Sequence, residues 1–141
     1  MALGPHDRLA IHETISLHGH LFDEGELGRL GELFTEDVVY DLSPIGQAAM
    51  HGIEEIRAAA LELGPDNPLA HHVTNVVITD EGEGTATTRC KALALTAEGT
   101  TRSATYIDTL DRTETGWRIR KRVVVPRRSP LGGKRSAAES A

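Results

Sequence analysis

The sequence predicts an α+β domain in which three N-terminal helices are wrapped by a curved antiparallel sheet. Three observations carry that expectation. Before residue 65, apolar side chains recur at helical spacing. After residue 70, β-branched runs alternate with short turns that contain glycine. One brief strand, Val38-Val39-Tyr40, interrupts the helices. A strongly twisted sheet of this kind curls around its helices and leaves a cavity open at one end.

The first helix is expected from Asp7, a plausible N-cap, with Leu9, Ile11, Ile15, Leu17, Leu21 and Phe22 apolar. Ile11, Ile15, His18 and Phe22 step by four, three and four, which places His18 on the buried stripe. Gly25 ends this helix. A short second one has Leu27, Leu30, Leu33 and Phe34 as its apolar set. The strand Val38–Tyr40 is stopped by Asp41 and Ser43-Pro44, and residues 43–50 read as a loop. A third helix starts near Gly52, keeps Ile53, Ile56, Ala60 and Leu63 in helical register, and ends at Gly64-Pro65. Strands are then expected over 71–79, 85–97, 101–112 and 117–125, joined by Gly-containing hairpin turns and finished by Pro126. In the second of them, Ala86, Thr88, Cys90, Ala92 and Ala94 make one face small. The domain spans 7–126, with flexible ends at 1–6 and 127–141.

A chain of 141 residues is one domain with a sizeable core, and its net charge of -6 argues against nucleic acid as partner. Arg118, Arg120, Lys121, Arg122, Arg127, Arg128, Lys134 and Arg135 crowd the C-terminus. A strand with arginines on its solvent face is the preferred explanation, ahead of a basic binding patch. Aromatic residues make up 4% of the chain, so aliphatic side chains should line any pocket. The single Cys90 excludes an intrachain disulfide and a cysteine-rich metal site. No apolar h-region or membrane-length run is present, and a cytoplasmic protein with no membrane partner is expected.

The stretch His71-His72-Val73-Thr74-Asn75 draws the chemistry. By strand alternation His71, Val73, Asn75 and Val77 share one face, and His72, Thr74, Val76 and Ile78 the other. Either way an imidazole, the side chain that exchanges protons near neutral pH, enters an apolar surface. The plain alternative is one hydrogen-bonded core histidine and one solvated histidine. Adjacent histidines diverge and make poor joint metal ligands, so no metal is expected. No phosphate loop, nucleophile elbow or dinucleotide fingerprint occurs, and no cofactor is expected. Asp108 and Arg122 read as a cross-strand ion pair. Trp117 and Tyr106 read as core before they read as a stacking platform, and both are kept as candidate substrate contacts.

Four stretches in order, FDEGELGRLGELFTEDVVYD, MHGIEEI, HHVTNVVI and YIDTLDRTETGWRIRKR, make residues 7–126 resemble a known family. It is the SnoaL-like (polyketide cyclase-like) branch of the nuclear transport factor 2-like superfamily, cone-shaped α+β barrels. Relatives include ketosteroid isomerase, scytalone dehydratase, bile-acid dehydratase and the small subunits of ring-hydroxylating dioxygenases. The landmarks together are specific for the fold and poorly specific for the reaction. In dehydratase-like members an Asp late in the first helix faces a His that opens the first long strand. The resemblance implies Asp23 and His71 for these roles, with His72 the alternative if the register slips by one. A carboxylate bonded to an imidazole orients it for proton abstraction beside a carbonyl. Such members carry a Tyr five residues before the Asp, where this chain has His18.

At about 100° per residue, Asp23 lies about 140° around the helix from His18, so both face one cavity only if it wraps the helix end. Asp41 falls one residue out of register with the isomerase base, and Tyr40 beside it is a candidate for the missing phenol. Met50 and His51 are expected at the pocket mouth, with His72 and Asn75 as further substrate contacts. The expected function is a cofactor-independent dehydratase, double-bond isomerase or aldol cyclase acting on a hydrophobic polyketide- or steroid-like ketone. The alternatives are a non-catalytic binding protein of this fold and a structural small subunit of a ring-hydroxylating dioxygenase. A homodimer through the open sheet face is expected under each.

Overall fold

The computed structural model describes residues 3–135, and the outermost parts of the expected flexible ends, 1–2 and 136–141, lie outside them. Helix α1 (Pro5–Asp23) begins two residues before the expected cap. Gly4 is its N-cap, and Pro5 takes the opening position, where a missing N–H costs nothing. Asp7 therefore sits inside the first turn. Its carboxylate accepts from Trp117 Nε1 at 3.1 Å and pairs with Arg112 at 2.7 Å. Gly25 closes the helix at a φ of +70°, where its own N–H bonds the Phe22 carbonyl and Glu26 N–H bonds that of Leu21. This is a Schellman ending, which needs a residue free of left-handed strain.

The expected second helix is a 3-10 segment, Leu27–Glu32. Strand β1 (Phe34–Asp41) is longer than the sequence suggests, because Phe34 already pairs with Ile119. The expected loop contains a 3-10 turn, Ser43–Ile45, and a two-residue strand β2 (Met50–His51). Helix α2 (Ile53–Leu63) follows, and its C-terminal carbonyls at Ala60 and Gly64 each receive Asn67 Nδ2 at 2.8 Å. The remaining strands are β3 (Ala70–Gly82), β4 (Thr85–Leu95), β5 (Thr101–Thr113) and β6 (Gly116–Pro126).

The six strands form one curved, unclosed sheet in the order β2-β1-β6-β5-β4-β3. The pairings are antiparallel apart from β1 with β6, which is parallel. The helices precede the long strands and α1 lies against β3 and β6, so the fold is the α+β architecture expected. The small face of β4 is buried at Ala86, Thr88, Cys90 and Ala92. Burial, then the nearby Asp108 carboxylate, push the Cys90 thiol up to about 11, which makes it an inert packing residue.

Several register shifts interrupt the sheet, and those near Asn75 and Arg120 overturn simple alternation at the site. In β3, Thr74 pairs with Lys91 but Val77 pairs with Arg89, so one extra residue is accommodated, and Asn75 adopts a φ of +58°. Before the bulge His71 and Val73 face inward; after it Val76 and Ile78 do, and Val77 is exposed. In β6, Ile119 pairs with Leu110 and Lys121 with Thr109, leaving Arg120 over. The inward set switches from Trp117 and Ile119 to Arg122 and Val124. Arg122, one of the arginines expected on the solvent face, is thereby turned into the core, where its side chain is fully buried.

Candidate functional site

The site forms where the C-terminal half of α1 meets the start of β3. Contact there is possible because residue 19 is glycine: a Cβ on Gly19 would lie 2.3 Å from the His71 carbonyl oxygen. The strand is thus seated directly on the helix. Asp23, one turn on from Gly19, holds the strand from the far side. Its carboxylate accepts the His71 backbone N–H at 2.9 Å and takes the ring Nδ1 at 2.7 Å. The two side chains keep only 17% and 21% of their exposure, so the contact is largely shielded from water.

The angle that separates His18 from Asp23 on the helix is bridged by His71, which lies between the ridges His18–Phe22 and Gly19–Asp23. Its ring centroid is 4.9 Å from that of His18, edge to face, and 6.1 Å from that of Phe22. His71 lines both of the cavities at this end of the fold. One, of about 510 Å³, is bounded by the ends of β4, β5 and β6. The other, of about 150 Å³, lies under α2 and also holds His18, Tyr40 and Met50.

Behind His18 stands a buried polar network. Arg122 is bidentate to Asp108, Nε to Oδ1 at 2.8 Å and Nη2 to Oδ2 at 2.9 Å, and its Nη1 lies 2.8 Å from His18 Nδ1. The guanidinium also lies over the Tyr106 ring at 4.0 Å. Burial opposes its charge, but Asp108 outweighs that and holds Arg122 protonated beyond its ordinary range. A guanidinium can only donate, so His18 Nδ1 must accept and the ring proton sits on Nε2. Burial first, then the charge of Arg122, hold His18 well below the usual histidine value. It is a neutral donor with fixed tautomer. Burial first, then the neighbouring Tyr40, push the Tyr106 phenol well above its usual value.

His71 has the opposite arrangement. The Asp23 carboxylate engages Nδ1, and Nε2 is the nitrogen left for a ligand in the cavities that His71 lines. The ring bonds of both histidines are at Nδ1, and neither Nε2 has a protein hydrogen-bond partner among the described residues.

Of the candidates from sequence, the structure brings His18, Tyr40, His71, Met50 and Tyr106 to these two cavities, with Asp23 bonded to His71 beside them. The others lie elsewhere. His72 is exposed on the opposite face of β3, as alternation next to an inward His71 requires. Asn75 is the exposed bulge residue and accepts from Thr74 Oγ1 at 2.6 Å. Asp41 caps the following turn, accepting Ser43 N–H at 2.9 Å, and those bonds hold its carboxyl below the usual value. His51 is exposed on β2, where its N–H donates to Glu55. Trp117 is buried at the far end of β6, on the order of 20 Å of strand from Val124. Sequence reasoning missed Gly19, whose need is visible only once the strand is seen against it. It also missed the link from Arg122 to His18, which the β6 bulge creates.

The SnoaL-like domain family model matches residues 5–123. A search of curated proteins returned no match. Among solved structures, an NTF2-like protein with a cystatin-like fold from Novosphingobium aromaticivorans is 33% identical with a TM-score of 0.73, covering 95% of this chain and 86% of that one. A candidate aromatic ring hydroxylase from the same organism is 26% identical at a TM-score of 0.75, over 91% and 94% of the two chains. A candidate scytalone dehydratase, also from that organism, shares the fold at 18% identity and a TM-score of 0.74, over 92% and 95%. With a family model matched over nearly its whole described length, and a fold to agree, the chain belongs to the SnoaL-like domain family of NTF2-like proteins.

Proposed function

We propose that the protein is a cofactor-independent lyase or isomerase that moves a proton next to the carbonyl of a hydrophobic substrate. The observation that carries this reading is the Asp23–His71 contact in the wall shared by two cavities, with a tautomer-fixed His18 beside it. His71 Nε2 takes the proton α to the carbonyl. Asp23 keeps the ring oriented and stabilises the imidazolium that forms. His18 Nε2–H, with the Tyr40 hydroxyl, donates to the substrate oxygen as negative charge develops there.

The same geometry limits the proton path. A neutral His18 would become an imidazolate if it gave up its proton, and the Tyr106 phenol is pushed the wrong way to serve as an acid. The proton taken by His71 is then the one returned, to a leaving hydroxyl or to the next carbon but one. Removal and return occur on one face of the substrate.

A panel of bicyclic β-hydroxy ketones, followed by enone absorbance, tests the reading. Turnover should fall by about 10²–10⁴ in His71→Gln and by a comparable order in Asp23→Asn. Equal rates in wild type and His71→Gln would sink it. The proposal includes pairing of two copies through the outer sheet face, where Val77 and Leu93 are exposed, and sedimentation reads that state.

A further inference from the structure

We propose that the substrate carries an anionic group, a carboxylate or a phosphate, at the end remote from its reacting carbon, and that Arg102, Arg127 and Arg128 receive it in the larger cavity. The inference rests on the proton-transfer reading only for where the reacting carbon lies.

The larger cavity is apolar along Ala92, Ala94, Ala104 and Val124, yet three guanidiniums line it and no carboxylate does. In a chain of net charge -6 that is an uneven distribution. Most other described arginines are answered locally: Arg8 by Glu81, Arg29 by Glu32, Arg57 by Glu54, Arg112 by Asp7, Arg120 by Asp111 and Arg122 by Asp108. Arg102, Arg127 and Arg128 have no carboxylate partner among the described residues. Arg127 is also held in place. Its backbone N–H bonds the Ser103 carbonyl at 2.8 Å and its Nε bonds the buried Thr105 hydroxyl at 3.0 Å, which leaves both terminal nitrogens for a ligand. A planar, fixed guanidinium suits a carboxylate or phosphate better than a mobile ammonium would.

Strand register gives the span. His71 pairs with Ala94, and Ala94 pairs with Arg102, so the three residues form one cross-strand row and share one face of the sheet. Two strand spacings separate the proposed base from Arg102, on the order of 10 Å between backbones. A ligand that reaches His71 with its reacting carbon and the arginines with its anion has the length of a bicyclic or tricyclic skeleton. The apolar walls between the two points accommodate that skeleton, and the charge fixes which end enters first.

Calorimetry with 2-naphthoate, 2-naphthyl phosphate and the neutral 2-naphthamide tests this on the intact chain. The better anion should bind wild type on the order of tenfold more tightly than the amide. That preference should vanish in Arg102→Gln/Arg127→Gln and persist in Arg89→Gln, an arginine on the exposed outer face. Which anion wins separates a carboxylate from a phosphate substrate. Anions and amide binding wild type equally or not at all, or a preference that survives the double substitution, would overturn the proposal. In Asp23→Asn the anion preference should stay. Turnover that also stays would remove the catalytic reading while supporting the anion site.

Discussion

At the level of single residues, the distinctive feature is a pair of neighbouring imidazoles prepared for opposite tasks. His71 is bonded by an acceptor at Nδ1 and His18 by a donor at Nδ1. That difference was partly legible in the sequence. The positions of Asp23 and His71 followed from the order of family landmarks, and the helical spacing put His18 on a buried stripe. The sequence did not show that Arg122 stands behind His18, because strict alternation turns that side chain outward. A pH effect follows. The unfolded chain binds a proton at His18 near pH 6.5, and the folded chain resists doing so until well below. The neutral-state advantage is complete above about pH 6.5 and is lost as pH falls below it. Denaturant unfolding should show wild type losing stability over pH 6.5–5 more steeply than His18→Gln, by up to about 1.4 kcal/mol per pH unit. Equal slopes would mean that His18 is solvated or already charged.

Among the elements, the decisive contact is α1 on β3. Helix propensity alone says Gly19→Ala should stabilise α1 by up to about 1 kcal/mol. The close approach to the His71 backbone says the opposite: an added methyl at 2.3 Å from that carbonyl oxygen must push the strand away. The overpacking term, roughly 1–3 kcal/mol, is the larger, so the variant should unfold at lower denaturant and lose the Asp23 hold on His71. A midpoint at or above wild type would place β3 farther from the helix. The hydrophobic periods foretold the helices and the four long strands. They did not foretell the bulges at Asn75 and Arg120, since one inserted residue leaves no compositional mark beyond an Asn tolerant of positive φ. Nor did they reveal β2, which is two residues long and is defined by its partner Val39-Tyr40.

Over the whole molecule, the sheet curves so that its ends and the C-terminus of α1 surround one chemical centre. The α+β class and the helix-first order were readable from the pattern. The parallel pairing of β1 with β6 was not, because it depends on which sheet edge the early strand reaches. The buried Arg122–Asp108 pair is the hub of this arrangement, tying β5 and β6 to the helix through His18. Such a pair costs desolvation that its hydrogen bonds only offset, so its benefit is the defined geometry it imposes. Its consequence for the site is a fixed donor at His18 Nε2 beside a free His71 Nε2, which the proposed reaction uses as its proton acceptor.

Nitrogen-15 NMR of the two histidine rings, in wild type and Asp23→Asn, tests that arrangement most directly. The expected spectrum at pH 7.5 shows His18 as the neutral Nε2–H tautomer and His71 with its Nδ1 proton bonded to Asp23. His18 should keep its signal well below pH 6.5, and His71 should lose its tautomer preference in Asp23→Asn. A protonated or Nδ1–H His18, or a His71 indifferent to Asp23, would contradict the proposed base and donor.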